Sequence, residues 1–256
     1  IKKSILDPRN PPSRSRRFWY NQIVANEESW MDPIKWDHQA YSDRAFKKGE
    51  EIVMFFDGSK SDDATALVGV RVSDGFVQPL GLWQAPPQKR RGEWVAPRAE
   101  VSQRVRALFK EYKILGFWGD PSHTKEDGTL DLFWQPVIDE WHRNFGSKLT
   151  LWASTKHSIA WDMSNTSSAG KGRLFVPAAE AFVEAVENGE IQHDGNVELA
   201  RHVKNARRFP TKFGVSLSKD GPESPRKIDL AVCAVGASLM RRQLLNSSKR
   251  STGKIW

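Results

Sequence analysis

The chain has 256 residues, 39% of them hydrophobic and 27% charged, with a formal net charge of +8. This composition is enough for a packed core and argues against wholesale disorder, and no run reaches the roughly 18 apolar residues of a membrane helix. Cys233 is the single cysteine, so an internal disulfide and a cysteine-based zinc site are both excluded.

The length suits one large domain, or one domain plus an extension. The start at Ile1 and the polar first residues show no signal peptide and are expected of a piece cut from a longer protein. With cysteine so scarce, a cytoplasmic compartment is the default expectation. The positive balance favours an anionic partner, nucleic acid being the commonest, with a solvated basic surface as the alternative.

In chain order, residues 1–17 (IKKSILDPRNPPSRSRR) read as a linker rich in Pro, Ser and Arg. Residues 18–48 hold several aromatics without a clean period and are expected to pack along a neighbouring surface, a compact domain starting near Glu50. Apolar runs at 51–57, 64–72 and 76–83 predict three strands, and Ser73-Asp74-Gly75 suits a tight hairpin between the last two. Short links make them an antiparallel meander. A polar loop with a basic cluster, APPQKRRGEW (85–94), follows.

Val101, Val105, Leu108, Phe109 and Tyr112 then repeat at helical spacing and predict a helix over 97–112, with Pro97 in its first turn. ILGFWG (114–119) predicts a strand ending at Asp120, residues 130–145 a helix, and LTLWA (149–153) a fifth strand. Helices are expected over 157–168, 177–187 and 196–207, a weak strand or hairpin over 213–218, and a last helix from about Arg226 to Arg242. Strands joined by hairpins, followed by strands joined by helices, predict an α/β fold: a mixed five-stranded sheet flanked by helices.

Three carboxylates stand at the ends of apolar elements: Asp57 after the first strand, Asp120 after the fourth, and Asp229 at the head of the last helix. Taken singly, each has a bland reading, as a turn residue, a loop residue before Pro121 and a helix-terminal acid. In this element order, however, the first and fourth strands are natural parallel neighbours, so Asp57 and Asp120 lie side by side, and a helix N-terminus on the sheet delivers Asp229. Three converging carboxylates cannot all stay ionised unless a cation joins them. Oxygen-only ligands suit Mg²⁺ or Mn²⁺, and two such ions serve phosphodiester hydrolysis.

The stretches FFDGSKSDDATALVGV, GFWGDPSH, IQHDGNVELARHVKNARR and PRKIDLAVCAVGASL together resemble the nuclease domain of the large terminase subunit of tailed bacteriophages. The resemblance covers about 50–242 and implies a ribonuclease H-like fold. FWYNQIVANEESW resembles the family's segment joining an ATPase domain to the nuclease. The resemblance therefore implies a connecting segment at 1–49, a nuclease domain at 50–242 and a tail at 243–256. It also implies an endonuclease that cuts concatemeric phage DNA during packaging, acting in the bacterial host cytoplasm beside portal protein and small terminase subunit. On it, Asp57, Asp120 and Asp229 are the catalytic and metal-binding acids, and Asp63 is a further acid near them. No G-x-x-x-x-G-K-[ST] loop is present, so neither nucleotide binding nor ATPase activity is expected from these residues.

Around this set, Lys227 either balances the acids and touches a phosphate or is an exposed lysine. His202 either serves metal binding or proton transfer or is a structural or surface residue, and Asn205, about one turn away, could face the same cleft. Lys89, Arg90, Arg91, Lys171, Arg173, Arg207, Arg208 and Lys212 are candidate contacts to the backbone of double-stranded DNA. Two other readings compete: a non-catalytic module docking DNA or a portal partner, supported by the N-terminal aromatics, and an actin-like or sugar-kinase ATPase lobe, since DGSKSDDATALVGV also resembles a phosphate-binding hairpin.

Overall fold

Residues Glu51–Asp57 form β1, and its side chains from Ile52 to Phe56 are all buried. Consecutive large apolar residues point to both faces of a strand, so both faces of its sheet must be covered. The computed structural model describes residues 28–61, 63–86, 93–121, 124–126, 129–163, 171–221 and 224–252. In it, β1 pairs antiparallel with β2 (Thr65–Arg71) and parallel with β4 (Lys113–Asp120), and β3 (Val77–Trp83) pairs antiparallel with β2. The sheet order is β3-β2-β1-β4, the mixed arrangement expected of a meander followed by a helical crossover.

Six helices accompany the sheet among the described residues: α1 (Pro33–His38), α2 (Arg98–Glu111), α3 (Gln135–Phe145), α4 (Gly172–Glu187), α5 (Val197–Asn205) and α6 (Asp229–Thr252). Two small hairpins complete it, β5 (Thr124–Glu126) with β6 (Thr129–Asp131), and β7 (Arg207–Thr211) with β8 (Gly214–Ser218). On one face, Val53, Phe55 and Val68 meet α4, α5 and α6; on the other, Met54, Phe56 and Phe117 meet α2 and α3. At Gly236 an added Cβ would lie 2.4 Å from the Phe55 ring, so α6 reaches β1 this closely only with glycine there. No helix of the described residues is long and apolar enough to cross a membrane.

Several expectations change. The main sheet has four strands, not five. Residues 149–161 run beside the edge of β4 but pair with its backbone at isolated bridges, Leu151 to Gly116 and Ala160 to Gly119. Between them the backbone turns at Ser154–His157, where Ser154 N donates to the His157 carbonyl. His157 Nδ1 then accepts from the amides of Ile159 and Ala160, at 3.1 and 2.8 Å, and these local bonds replace the first part of the helix expected over 157–168, whose residues 164–168 lie outside the described residues. α3 starts at Gln135 because 129–131 belongs to β6, and α4 starts five residues earlier than expected, with Pro177 inside it.

Of the N-terminal aromatics, Trp30, Trp36 and Phe46 face inward, Tyr41 is exposed, and Phe18, Trp19 and Tyr20 lie outside the described residues. Trp30, Met31 and Trp36 belong to the core, and Trp36 stacks on His193 at 4.0 Å. Trp30 and Trp36 are therefore unavailable to the partner surface that the docking reading drew on.

Candidate active site

Asp57 and Asp120 are register partners at the matching ends of the parallel pair β1–β4. Their adjacency follows from chain order: β4 returns beside β1 in the same direction, and both strands end on an acid. The turn after Asp57 needs its glycine, since a Cβ at Gly58 would lie 2.4 Å from the Trp134 ring. Trp134 Nε1 in turn donates to the Ser59 carbonyl at 3.1 Å and holds that turn down.

Asp229 is the first residue of α6 and is 6% exposed. Its Oδ2 finds no hydrogen-bond partner among the described residues. Beside it, the Leu230 amide donates to His202 Nδ1 at 3.1 Å. His202 is fully buried, and burial, followed by the charges of Arg201 and Lys227, holds its pKa down to about 4. It holds the helix start as a neutral ring, and its Nε2 is buried without a hydrogen-bond partner among the described residues.

Electrostatics marks the same place. Burial, then the charges of Asp229, Asp120 and Asp63, push the Asp57 carboxyl well above its ordinary range, against the pull of Lys219. Burial and then Asp63 raise Asp229 to about 7. Cys233, one turn into α6, is buried with its thiol donating to the Ala66 carbonyl at 3.4 Å, and burial and the nearby acids push its pKa up, so it is no nucleophile.

Asp63 behaves differently. Burial would raise it, but a hydrogen bond and charge from Lys219, then Lys227, outweigh that and leave it lowered. Both ammonium groups engage Asp63 Oδ1, Lys227 at 3.1 Å. Lys219, the residue after β8, went unnoticed in the sequence; it lies 156 positions from Asp63, and nothing local marks it. The Lys227 carbonyl accepts from Asn205 Nδ2 at 3.0 Å, so Asn205 fixes the approach to α6.

The basic residues scatter. Arg208 and Lys212 are exposed on the β7–β8 hairpin beside the exposed Phe209 and Phe213, and Lys212 lies over the Phe213 ring. Arg207, half-buried, donates to the Lys204 carbonyl at 3.3 Å. Arg173 is exposed at the start of α4, whereas Lys171 turns its ammonium to the Ala153 carbonyl. Lys89, Arg90 and Arg91 lie outside the described residues.

The donor set fits a hard divalent cation: carboxylate oxygens, raised carboxyl pKa values and one buried oxygen without a partner. The acids share one mouth without closing on a point. Among the described residues, no three His, Cys, Asp or Glu side chains stand close enough to grip one ion as they are.

No family model matches the sequence. The gene 13 protein of Mycobacterium phage L5 is 38% identical over 267 residues, an alignment that takes in all of this chain and 42% of that protein. The chain thus spans less than half the length of this relative. Among solved structures, the large terminase of bacteriophage HK97 matches with a TM-score of 0.54 at 13% identity, over 82% of this chain and 43% of that one. The large terminase nuclease of thermophilic phage G20c, solved with bound magnesium, matches with a TM-score of 0.52 at 13% identity, over 84% of this chain and 97% of that one. The fold of this chain is that of the large terminase nuclease domains.

Proposed function

We propose that this chain is the nuclease part of a phage large terminase, a metal-dependent endonuclease that cuts concatemeric double-stranded DNA during genome packaging. The observation that carries the reading is the facing pair Asp57 and Asp120, with the buried and unpartnered Asp229 oxygen brought to the same strand ends. Clustered carboxylates held on rigid elements, one of them with a buried oxygen that has no partner among the described residues, are what a cation site requires before its cation arrives.

On this reading Asp57, Asp120 and Asp229 hold two Mg²⁺ or Mn²⁺ ions. Bound there, the ions would stabilise the attacking and leaving oxygens of the scissile phosphodiester. The chain's own residues do the rest. β1 and β4 fix two carboxylates in register, and α6 presents the third from a start that His202 caps. Arg208 and Lys212, with Arg173, neutralise backbone phosphates without reading bases, which gives little sequence preference. Asp63 tethers two lysines beside the acids and is not itself assigned as a ligand. The segment at 50–242 is the nuclease domain; portal protein and small terminase subunit are partners of the whole assembly, in the host cytoplasm. No nucleotide site is assigned to these residues.

Plasmid cleavage tests this. Nicking and linearisation in Mn²⁺ or Mg²⁺, abolished by EDTA and by Asp57→Asn, is the expected result. Metal-independent cleavage, or an Asp57→Asn variant that cuts as fast as the parent, would overturn the assignment.

A further inference from the structure

The acid mouth already contains a cation of the protein's own. Lys219 leaves the end of β8 and turns inward, its side chain 17% exposed, to meet Asp63 Oδ1. Lys227 reaches the same oxygen, but its position is set by chain connectivity two residues before Asp229 and by the Asn205 bond to its carbonyl. The Lys219 carbonyl accepts from Ser218 Oγ at 2.9 Å, and beyond it the ammonium is carried on a flexible four-carbon stem. Lys219 follows one arm of a hairpin whose other arm is largely exposed and which is held to the body by the buried Ser216 and Leu217 and by bonds such as Val215 N to Glu180 Oε1 at 2.8 Å and Arg208 N to the Glu28 carbonyl at 2.8 Å.

We propose that Lys219 is a built-in counter-cation of the acid mouth, one that an entering divalent cation must displace or push back. The inference rests on the metal-site reading above. A flexible lysine is a compact point charge that needs no fixed fork geometry, so it can neutralise acids in the metal-free protein and withdraw when a stronger charge arrives. Lys227, bonded to the same Asp63 oxygen, lies two residues before Asp229, so the Lys219 ammonium sits beside the head of α6. Asp63 is then the perch that holds this cation beside the mouth, which explains an acid near the site whose own charge is already matched.

The two roles open to Lys219 predict opposite signs. A merely structural lysine, once removed, loosens the mouth and weakens metal binding. A counter-cation, once removed, takes away a competitor and tightens it. Calorimetric titration of the wild type with Mn²⁺, without DNA, is compared with Lys219→Met and with Lys219→Arg. Lys219→Met is expected to bind Mn²⁺ roughly tenfold more tightly, the scale of one like charge removed from near a divalent ion. It should also melt at a lower temperature than the parent in EDTA, with the gap closing in saturating Mn²⁺. Lys219→Arg, which keeps the charge, should keep the parent's affinity. Lys219→Gln, which keeps a donor for Asp63, serves if Lys219→Met does not fold. Equal or weaker Mn²⁺ binding by a folded charge-removing variant overturns the counter-cation role alone. No Mn²⁺ binding by any of the proteins overturns both this role and the metal-site reading beneath it.

Discussion

The two ends of the β1–β4 pair carry charge in opposite ways. At the start of the strands every acid is matched. Arg71, 8% exposed, bonds Glu50 at 2.9 Å and Asp74 at 2.9 Å; Arg44 holds Asp74 at 2.6 Å; and Lys113 meets Glu51 at 2.8 Å. Burial would raise Asp74, but the Arg71 bonds prevail and draw it down to about 2. At the far end the acids repel one another, Asp57 and Asp229 are pushed up, and one Asp229 oxygen has no partner among the described residues. One chain solves the charge problem at one end of its sheet and leaves it open at the other. Where a fold is able to pair its charges, the place where it does not is the place to look for a ligand.

The sharpest way to break this contrast is to remove one charge from each end. Asp57→Asn should cost on the order of 10³-fold or more in DNA cleavage, the scale of a key electrostatic group at a reacting centre. Its metal-free melting temperature should hold or rise, because a repulsion is gone. Arg71→Ala should do the reverse: a loss of about 3 kcal/mol in urea unfolding, since two acids lose a largely buried partner, with the melting response to Mn²⁺ intact. If both variants lose stability alike, the two ends are not different in kind.

Acidity separates the ends next. Asp229 is raised in the folded metal-free protein, from 3.8 to about 7. Below pH 4 both folded and unfolded forms hold the proton, so there is no penalty. Between about pH 4 and 7 the unfolded form releases it first, and stability falls by up to about 4 kcal/mol at 1.36 kcal/mol per pH unit. Asp74, lowered to about 2, contributes with the other sign: its stability is present above about pH 4 and is lost as the pH falls towards 2. Urea unfolding in EDTA across pH 2–8 should therefore show Asp229→Asn flattening the neutral side and Asp74→Asn flattening the acid side. A neutral-side slope unchanged by Asp229→Asn would contradict the raised carboxyl.

The smallest effect concerns DNA. Charge removal at Arg208 and Lys212 should leave both ends of the sheet intact and lower the slope of log K against log[salt] by roughly 0.9 for each phosphate that is no longer neutralised. Fluorescence anisotropy in EDTA reads it, and an unchanged slope would take the β7–β8 hairpin out of the DNA interface.

Much of the acid mouth was legible in the sequence because it depends on strand order. Short links fix β1 to β3 as a meander, a helix-spaced stretch returns β4 parallel to β1, and the acids closing the two runs must then meet. What escaped depends on tertiary neighbours without local pattern. Lys219 follows a weak hairpin strand, and only the tertiary fold carries it to Asp63. The segment at 149–161 carries a strand-like run, yet a serine turn and the His157 ring claim its backbone, and β4 keeps an irregular neighbour. His202 and Asn205 lie in a stretch the resemblance singled out, but their bonds show them holding the start of α6. Trp30 and Trp36 have no period because they plug the core from a segment that is mostly irregular.

The most direct measurement is anomalous diffraction from crystals of the protein grown with Mn²⁺. Two peaks roughly 3.5–4 Å apart are expected among the carboxylates of Asp57, Asp120 and Asp229. A map with no peak at these acids, or with Mn²⁺ bound only elsewhere, would contradict the two-ion site.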